Sequence, residues 1–253
     1  MRGVKVITPY SGVSYVREDY PALKTYFPLD EGYGGSFLDH AGGLIWSFDE
    51  VANTHSVQHA ITHSSVSGQD ESQANIHLTG DLPAPGVKQS LLIAVFGATE
   101  DFAIDGDFTY LRFGATVVGN DARFVLSMNS KSVPGNNCAK NWSANSGPSV
   151  SWTSSPNPCV VAIATIYSAG TLRSNYYVDS NLYTGLDATA QQMDEHGANI
   201  ALSALGSAVT SLYSLQYWHF DAIPTDILAA LEWTKASALA GNKTPYPGWR
   251  HRT

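Results

Sequence analysis

Leu91-Leu92-Ile93-Ala94-Val95-Phe96 is apolar at every position. Successive side chains of a strand point to opposite faces, so this run predicts a strand covered on both of them. Phe124, Leu126 and Met128 alternate instead with Val125, Ser127 and Asn129, the pattern of a strand with one buried face. Outward from these two, further runs rich in β-branched and aromatic residues predict strands at 25–29, 109–113, 160–167, 175–178, 200–202 and 212–218, besides 91–96 and 123–128. Turn signals separate them, among them Gly34-Gly35, Gly42-Gly43, Gly119-Asn120-Asp121 and Pro134-Gly135-Asn136-Asn137.

One helix is predicted. Pro224-Thr225-Asp226 offers an N-cap hydroxyl and an acidic first turn. Ile227, Leu228, Leu231, Lys235 and Leu239 follow at helical steps, and Gly241 stops the run. So narrow a stripe suits a helix lying outside a sheet assembly with one face buried. Many strands and one late helix give an all-β chain, a β-sandwich or jelly roll, with a short C-terminal helix and extended terminal arms. The expected division is an arm over residues 1–22, a domain over 23–240 and an extended tail over 241–253. Two prolines exclude a helix from the tail, yet Tyr246 and Trp249 are side chains that a merely solvated segment rarely needs. They either pack back on the domain or, with Arg250, contact a neighbouring subunit. No internal repeat is present.

Charge narrows the function classes. Lys+Arg number 14 against 22 Asp+Glu, a formal net charge of −8, so nucleic acid is excluded as a partner for want of clustered cations. Charged residues are only 14% of the 253, too few for a long helical bundle or coiled coil. No stretch reaches the roughly 18 apolar residues of a membrane helix, and no apolar run near Met1 suits a signal peptide. Synthesis in a cytosol, with no membrane partner, is the expectation; Cys138 and Cys159 could close a disulfide loop but are then read as free thiols.

The order of segments resembles a known superfamily. Tyr26-Phe27-Pro28-Leu29-Asp30-Glu31-Gly32, followed by Phe37-Leu38-Asp39-His40-Ala41-Gly42-Gly43, is similar to the opening strand and turn of concanavalin A-like, laminin-G-like domains. Cys159 to Tyr167, a Ser-Ala-Gly turn and Tyr176-Tyr177-Val178-Asp179 resemble that superfamily's paired central strands. Asn199-Ile200-Ala201-Leu202 and Leu212 to Phe220 resemble its closing strands, and Asp221 to Ile227 the short element that opens a small helix. The resemblance spans about residues 23–240 and implies a concanavalin A-like jelly roll. The last segment and its Tyr-Pro-Gly-Trp tail look most like versions of this domain in bacteriophage virion proteins. The superfamily includes adhesion modules, lectins, glycanases and capsid or tail components, so the fold leaves function open.

No catalytic residue is assigned. A glycanase needs two carboxylates about 5–9.5 Å apart across the scissile bond. The superfamily's Glu-x-Asp-x-x-Glu strand pattern is absent, and Glu100, Asp101, Asp105 and Asp107 read as a solvated connection. Asp105-Gly106-Asp107 reads as a turn in preference to a calcium loop. His55, His59 and His63 repeat every four residues, a step that keeps one face in a strand or a helix. They lack a Cys, Asp or Glu in register and read as a polar strand face, so no metal is assigned. No cofactor is implied: nucleophile elbow, Walker loop and dinucleotide loop are all missing. Trp142 and Trp152 lie in an Asn/Ser/Pro-rich excursion, 136–158, read as a long exposed loop. There they could stack on a sugar, anchor a partner, or cover one end of the sandwich.

The first reading is a non-enzymatic structural component of a bacteriophage virion, a capsid decoration or tail-associated protein synthesised in the host cytoplasm. It would act through contacts with other virion proteins and as a homo-oligomer. The alternative is a lectin-like, glycan-binding host-adhesion module that uses Trp142 and Trp152. A glycoside hydrolase ranks third.

Overall fold

The computed structural model describes residues 18–29, 36–41, 45–48, 54–57, 60–64, 71–78, 89–98, 108–115, 122–129, 137–141, 149–152, 158–168, 171–184, 188–189, 199–205 and 209–253. Seventeen strands run through these described residues. The first six are β1 (Leu23–Phe27), β2 (Ser36–Leu38), β3 (Ile45–Phe48), β4 (Thr54–Val57), β5 (Ala60–Ser64) and β6 (Glu71–Leu78). Next come β7 (Gln89–Ala98), β8 (Phe108–Ala115), β9 (Ala122–Asn129), β10 (Asn137–Asn141), β11 (Ser149–Trp152) and β12 (Cys159–Ser168). The last are β13 (Thr171–Val178), β14 (Asn181–Thr184), β15 (Ala188–Thr189), β16 (Asn199–Leu205) and β17 (Val209–Phe220), before the helix α1 (Ile227–Leu239).

They form two antiparallel sheets. One has the order β14-β13-β12-β7-β17-β5-β4, with β1 also on β17 and β15 also on β13. The other runs β11-β10-β9-β8-β16-β6-β3-β2. β7 is central in the first sheet, paired to β12 through Leu92↔Ile163 and to β17 through Leu92↔Tyr217. A bulge between Leu212 and Ser214 shifts the β17 register by one residue.

β7 is covered on both faces, as its unbroken apolar run requires. Leu91, Ile93 and Val95 join Val160, Ala162, Ala164, Trp218 and Phe220 in a layer beneath α1 and the C-terminal tail. On the opposite face Leu92, Ala94, Val161, Ile163, Leu215 and Tyr217 are equally buried. β8 and β16 of the second sheet approach β17, and β10 approaches β12, which closes the sandwich. Each large aliphatic side chain buried in this way stabilises the fold by about 1.5–3 kcal/mol.

Asp39 joins β1 to the turn after β2. Its buried carboxylate accepts at Oδ1 from the backbone N–H of Tyr26 (2.8 Å) and of Ala41 (2.9 Å). Two backbone donors thus find one anchored acceptor where strand pairing ends.

The helix begins and ends where expected, but its start is built differently. Asp226 occupies the N-cap position and its side chain caps nothing. Its carboxylate instead accepts from Trp249 Nε1 (3.0 Å) and Arg252 Nη2 (3.2 Å). At the other end Gly241, with φ 73°, turns the chain. There the Gly241 and Asn242 amides donate to the carbonyls of Ala238 and Ser237, a Schellman closure.

The tail folds back. Trp249, in a short 3₁₀ turn over Pro247–Trp249, is 0% exposed. Its ring meets Trp218, Phe220 and Tyr246 edge-on at 5.1, 5.2 and 5.7 Å. Gly248 leaves room for this turn, since a Cβ there would lie 2.5 Å from Tyr246 Cε1. The tail thus packs on the domain, with Trp249 inside the core layer and Tyr246 against it. At the other end Tyr20 and Ala22 are buried in the same layer, so the domain starts before residue 23. Asp19 holds the tail through its carbonyl to His251 N (2.7 Å) and its carboxylate to Arg250 (3.1 Å). Burial pushes the Tyr20 phenol above its ordinary range, while the adjacent Arg250 pulls the other way.

Candidate functional site

The helix presents two arcs. Ile227, Ala230, Leu231, Thr234 and Ala238 are buried against the sheet. Leu228, Lys235 and Leu239, expected on that same buried face, lie instead on the helix flank and line a recess with Glu232. Its far wall is the turn between β13 and β14, with Asp179 and Ser180, and Val160 of β12 contributes to it. The recess has a volume of about 700 Å³.

Asp179 fixes this wall. It adopts φ 50°, a left-handed conformation that aspartate tolerates better than most residues. Its N–H donates to the Val160 carbonyl (2.8 Å), and its Oδ1 accepts from Val160 N (3.3 Å) and Lys235 Nζ (2.7 Å). The Tyr-Tyr-Val-Asp segment thus ties the strand turn to the helix. Next to it the Tyr177 phenol is raised by burial, with a hydrogen bond from Asn175 opposing. Lys235 is engaged by Asp179, and beside this pair the recess offers two leucines, two alanines, Ser180 and the exposed carboxylate of Glu232. That set makes contacts; it holds no nucleophile paired with a base. Among the described residues no group of three or more His, Cys, Asp and Glu could hold a metal.

The other candidates are distributed as follows. Trp152 ends β11, the edge strand of the second sheet, opposite Asn137 of β10. The excursion at 136–158 read as a loop therefore contains a hairpin that extends the sheet. Trp142 lies outside the described residues, as do Glu100, Asp101, Asp105, Asp107 and His59. His55 and His63 fall on the two strands of one hairpin, in the adjacent pairs His55↔Thr62 and Thr54↔His63. Of the residues offered as assembly contacts, Trp249 is enclosed and Tyr246 half-buried against it, the arrangement of a tail packed back on its own domain. Arg250 is exposed but engaged with Asp19 and lies 6.0 Å from the Tyr20 ring centre.

No protein-family model matches the chain, and no curated protein does. Solved structures do. The binding domain of botulinum neurotoxin DC in complex with SialylT superposes with a TM-score of 0.59 at 8% identity, over 84% of this chain and 51% of that one. The same domain in complex with rat synaptotagmin II gives 0.59 at 9%, over 84% and 52%. The binding domain of botulinum neurotoxin serotype D gives 0.55 at 10%, over 87% and 53%. The chain spans about half the length of these domains. At such identities the likeness is one of fold, and it agrees with the two facing sheets described above: the chain is an all-β sandwich.

Proposed function

We propose that this protein is a non-enzymatic recognition module that binds a glycan. The observation that carries the reading is the superposition of most of the chain on a toxin binding domain in complex with SialylT. The chain's own charge narrows the ligand: a net −8 opposes an anionic sugar, so a neutral oligosaccharide fits better. Trp152, at the end of an edge strand, is the position from which an aromatic ring would stack on that sugar. Assembly on a virion loses two of its supports, because Tyr246 and Trp249 contribute to the domain's own core layer.

A glycan array with the purified chain tests this. Saturable binding to a neutral glycan is expected, weakened about 5- to 150-fold by Trp152→Ala, given roughly 1–3 kcal/mol per aromatic stack. An array blank at high protein concentration refutes the reading; binding untouched by the substitution removes Trp152 from it.

A further inference from the structure

Leu228, Glu232, Lys235 and Leu239 follow one another on α1 at steps of four, three and four. At 3.6 residues per turn they fall within an arc of about 60° on the helix flank. The two leucines stay 44% and 41% exposed although they border a recess, and Ala229 and Ala236 beside them leave the helix surface low. At 1.5 Å per residue the two leucines lie about 16 Å apart along the axis, with the charged pair between them.

The order Leu-Glu-Lys-Leu has a property that identifies what covers it. The leucine pair and the Glu/Lys pair are centred on the same point of the helix, between Trp233 and Thr234. Turned about a two-fold axis through that point, the stripe meets itself in register. In that arrangement Leu228 would face Leu239 of the partner subunit, and Glu232 would face Lys235 of the partner subunit. An isologous interface needs this self-complementarity, which a stripe of one charge sign would lack.

We propose that the α1 flank is a homodimer surface on which two copies of the helix pack antiparallel. The recess of about 700 Å³ admits the partner's stripe, and the alanines permit close helix approach. The Lys235 ammonium has three donors, so its 2.7 Å bond to Asp179 does not exhaust it. The leucines provide the contact area, and the charges set register and direction.

Sedimentation velocity of the full chain, from low to several hundred micromolar (about the range for weak association), tests the proposal. The wild type is expected to shift from monomer to dimer. Glu232→Lys and Lys235→Glu each place like charges opposite one another twice per dimer and weaken self-association about tenfold or more. Mixed in equal amounts, the two variants make both contacts complementary again and form heterodimers of near wild-type affinity. Lys235→Glu also removes the Asp179 pair, so its melting curve is recorded. Should that variant not fold, Leu228→Asp takes its place as a dissociating substitution. A wild type that stays monomeric throughout overturns the proposal. So does a mixture no more associated than its components, or a dimer indifferent to both Glu232→Lys and Leu228→Asp.

Discussion

Trp249→Ala is the most direct test of how the domain is closed. The ring is fully enclosed, meets three aromatic rings edge-on, and donates its Nε1–H to Asp226. Truncating a buried aromatic to alanine costs about 3–5 kcal/mol. The lost edge-to-face contacts with Trp218 and Phe220 place this site in the upper part of that range. The lost hydrogen bond adds little, since Asp226 keeps Arg252 and is partly open to water. A loss of about 4–5 kcal/mol lowers the melting temperature of a chain this long by roughly 8–20 °C. Urea unfolding followed by far-UV circular dichroism measures it, with Trp249→Phe as a control that retains a ring and loses only part of the effect. A Trp249→Ala variant within 1 kcal/mol of wild type, at about the error of the method, would refute the packing argument. If the same substitution altered only the native mass, the ring would belong to an intersubunit contact.

Two further outcomes follow from the same layer and from the β1 junction. Asp39→Ala strands the Tyr26 and Ala41 amides and is expected to cost about 2–5 kcal/mol, while Asp39→Asn keeps an acceptor and costs less; denaturant midpoints decide, and equal losses in both variants would contradict the argument. Burial raises the Tyr20 and Tyr177 phenols, so the folded state favours their protonated forms. The resulting stability is fully present below the unfolded tyrosine value of about 10 and is lost as pH rises through the raised folded value. Melting temperatures should therefore fall above about pH 10, and less steeply in Tyr20→Phe; an unchanged slope would remove Tyr20 from the account.

How far the sequence could be read depended on what holds each strand. The eight strands foreseen match β1, β7, β8, β9, β12, β13, β16 and β17, whose apolar or aromatic runs are dense. β4 and β5, Thr-His-Ser-Val and Ala-Ile-Thr-His-Ser, carry almost no hydrophobic signal and exist through pairing with each other and with β17. β6 did carry a signal: Ala74, Ile76 and Leu78 alternate with Gln73, Asn75 and His77. In the helix the period was legible but the burial direction was not. Leu228 and Ala230 are both apolar, and only the sheet's position decides that the alanine is buried and the leucine is not. Packing of the tail back on the domain was one reading of its aromatics, but the partners were not legible, because Trp249 gains its surroundings from β17, roughly 30 residues earlier, and from Asp226.

The central position of β7 also bears on how the chain is made. Its partner strands lie far ahead in the sequence, β12 ending at residue 168 and β17 at residue 220. At roughly 5–20 residues per second, a ribosome that has finished β7 takes about 4–14 s to complete β12 and about 6–24 s to complete β17. Throughout that interval Leu91-Leu92-Ile93-Ala94-Val95-Phe96 has neither ladder partner in place. A six-residue, uncharged, proline-free run of this kind is prone to pair with other nascent chains. The strand that anchors the finished sandwich is thus the one most in need of shielding during translation. Slower elongation, or synthesis without a holdase chaperone, should divert the protein into inclusion bodies before any substitution in the folded surface does.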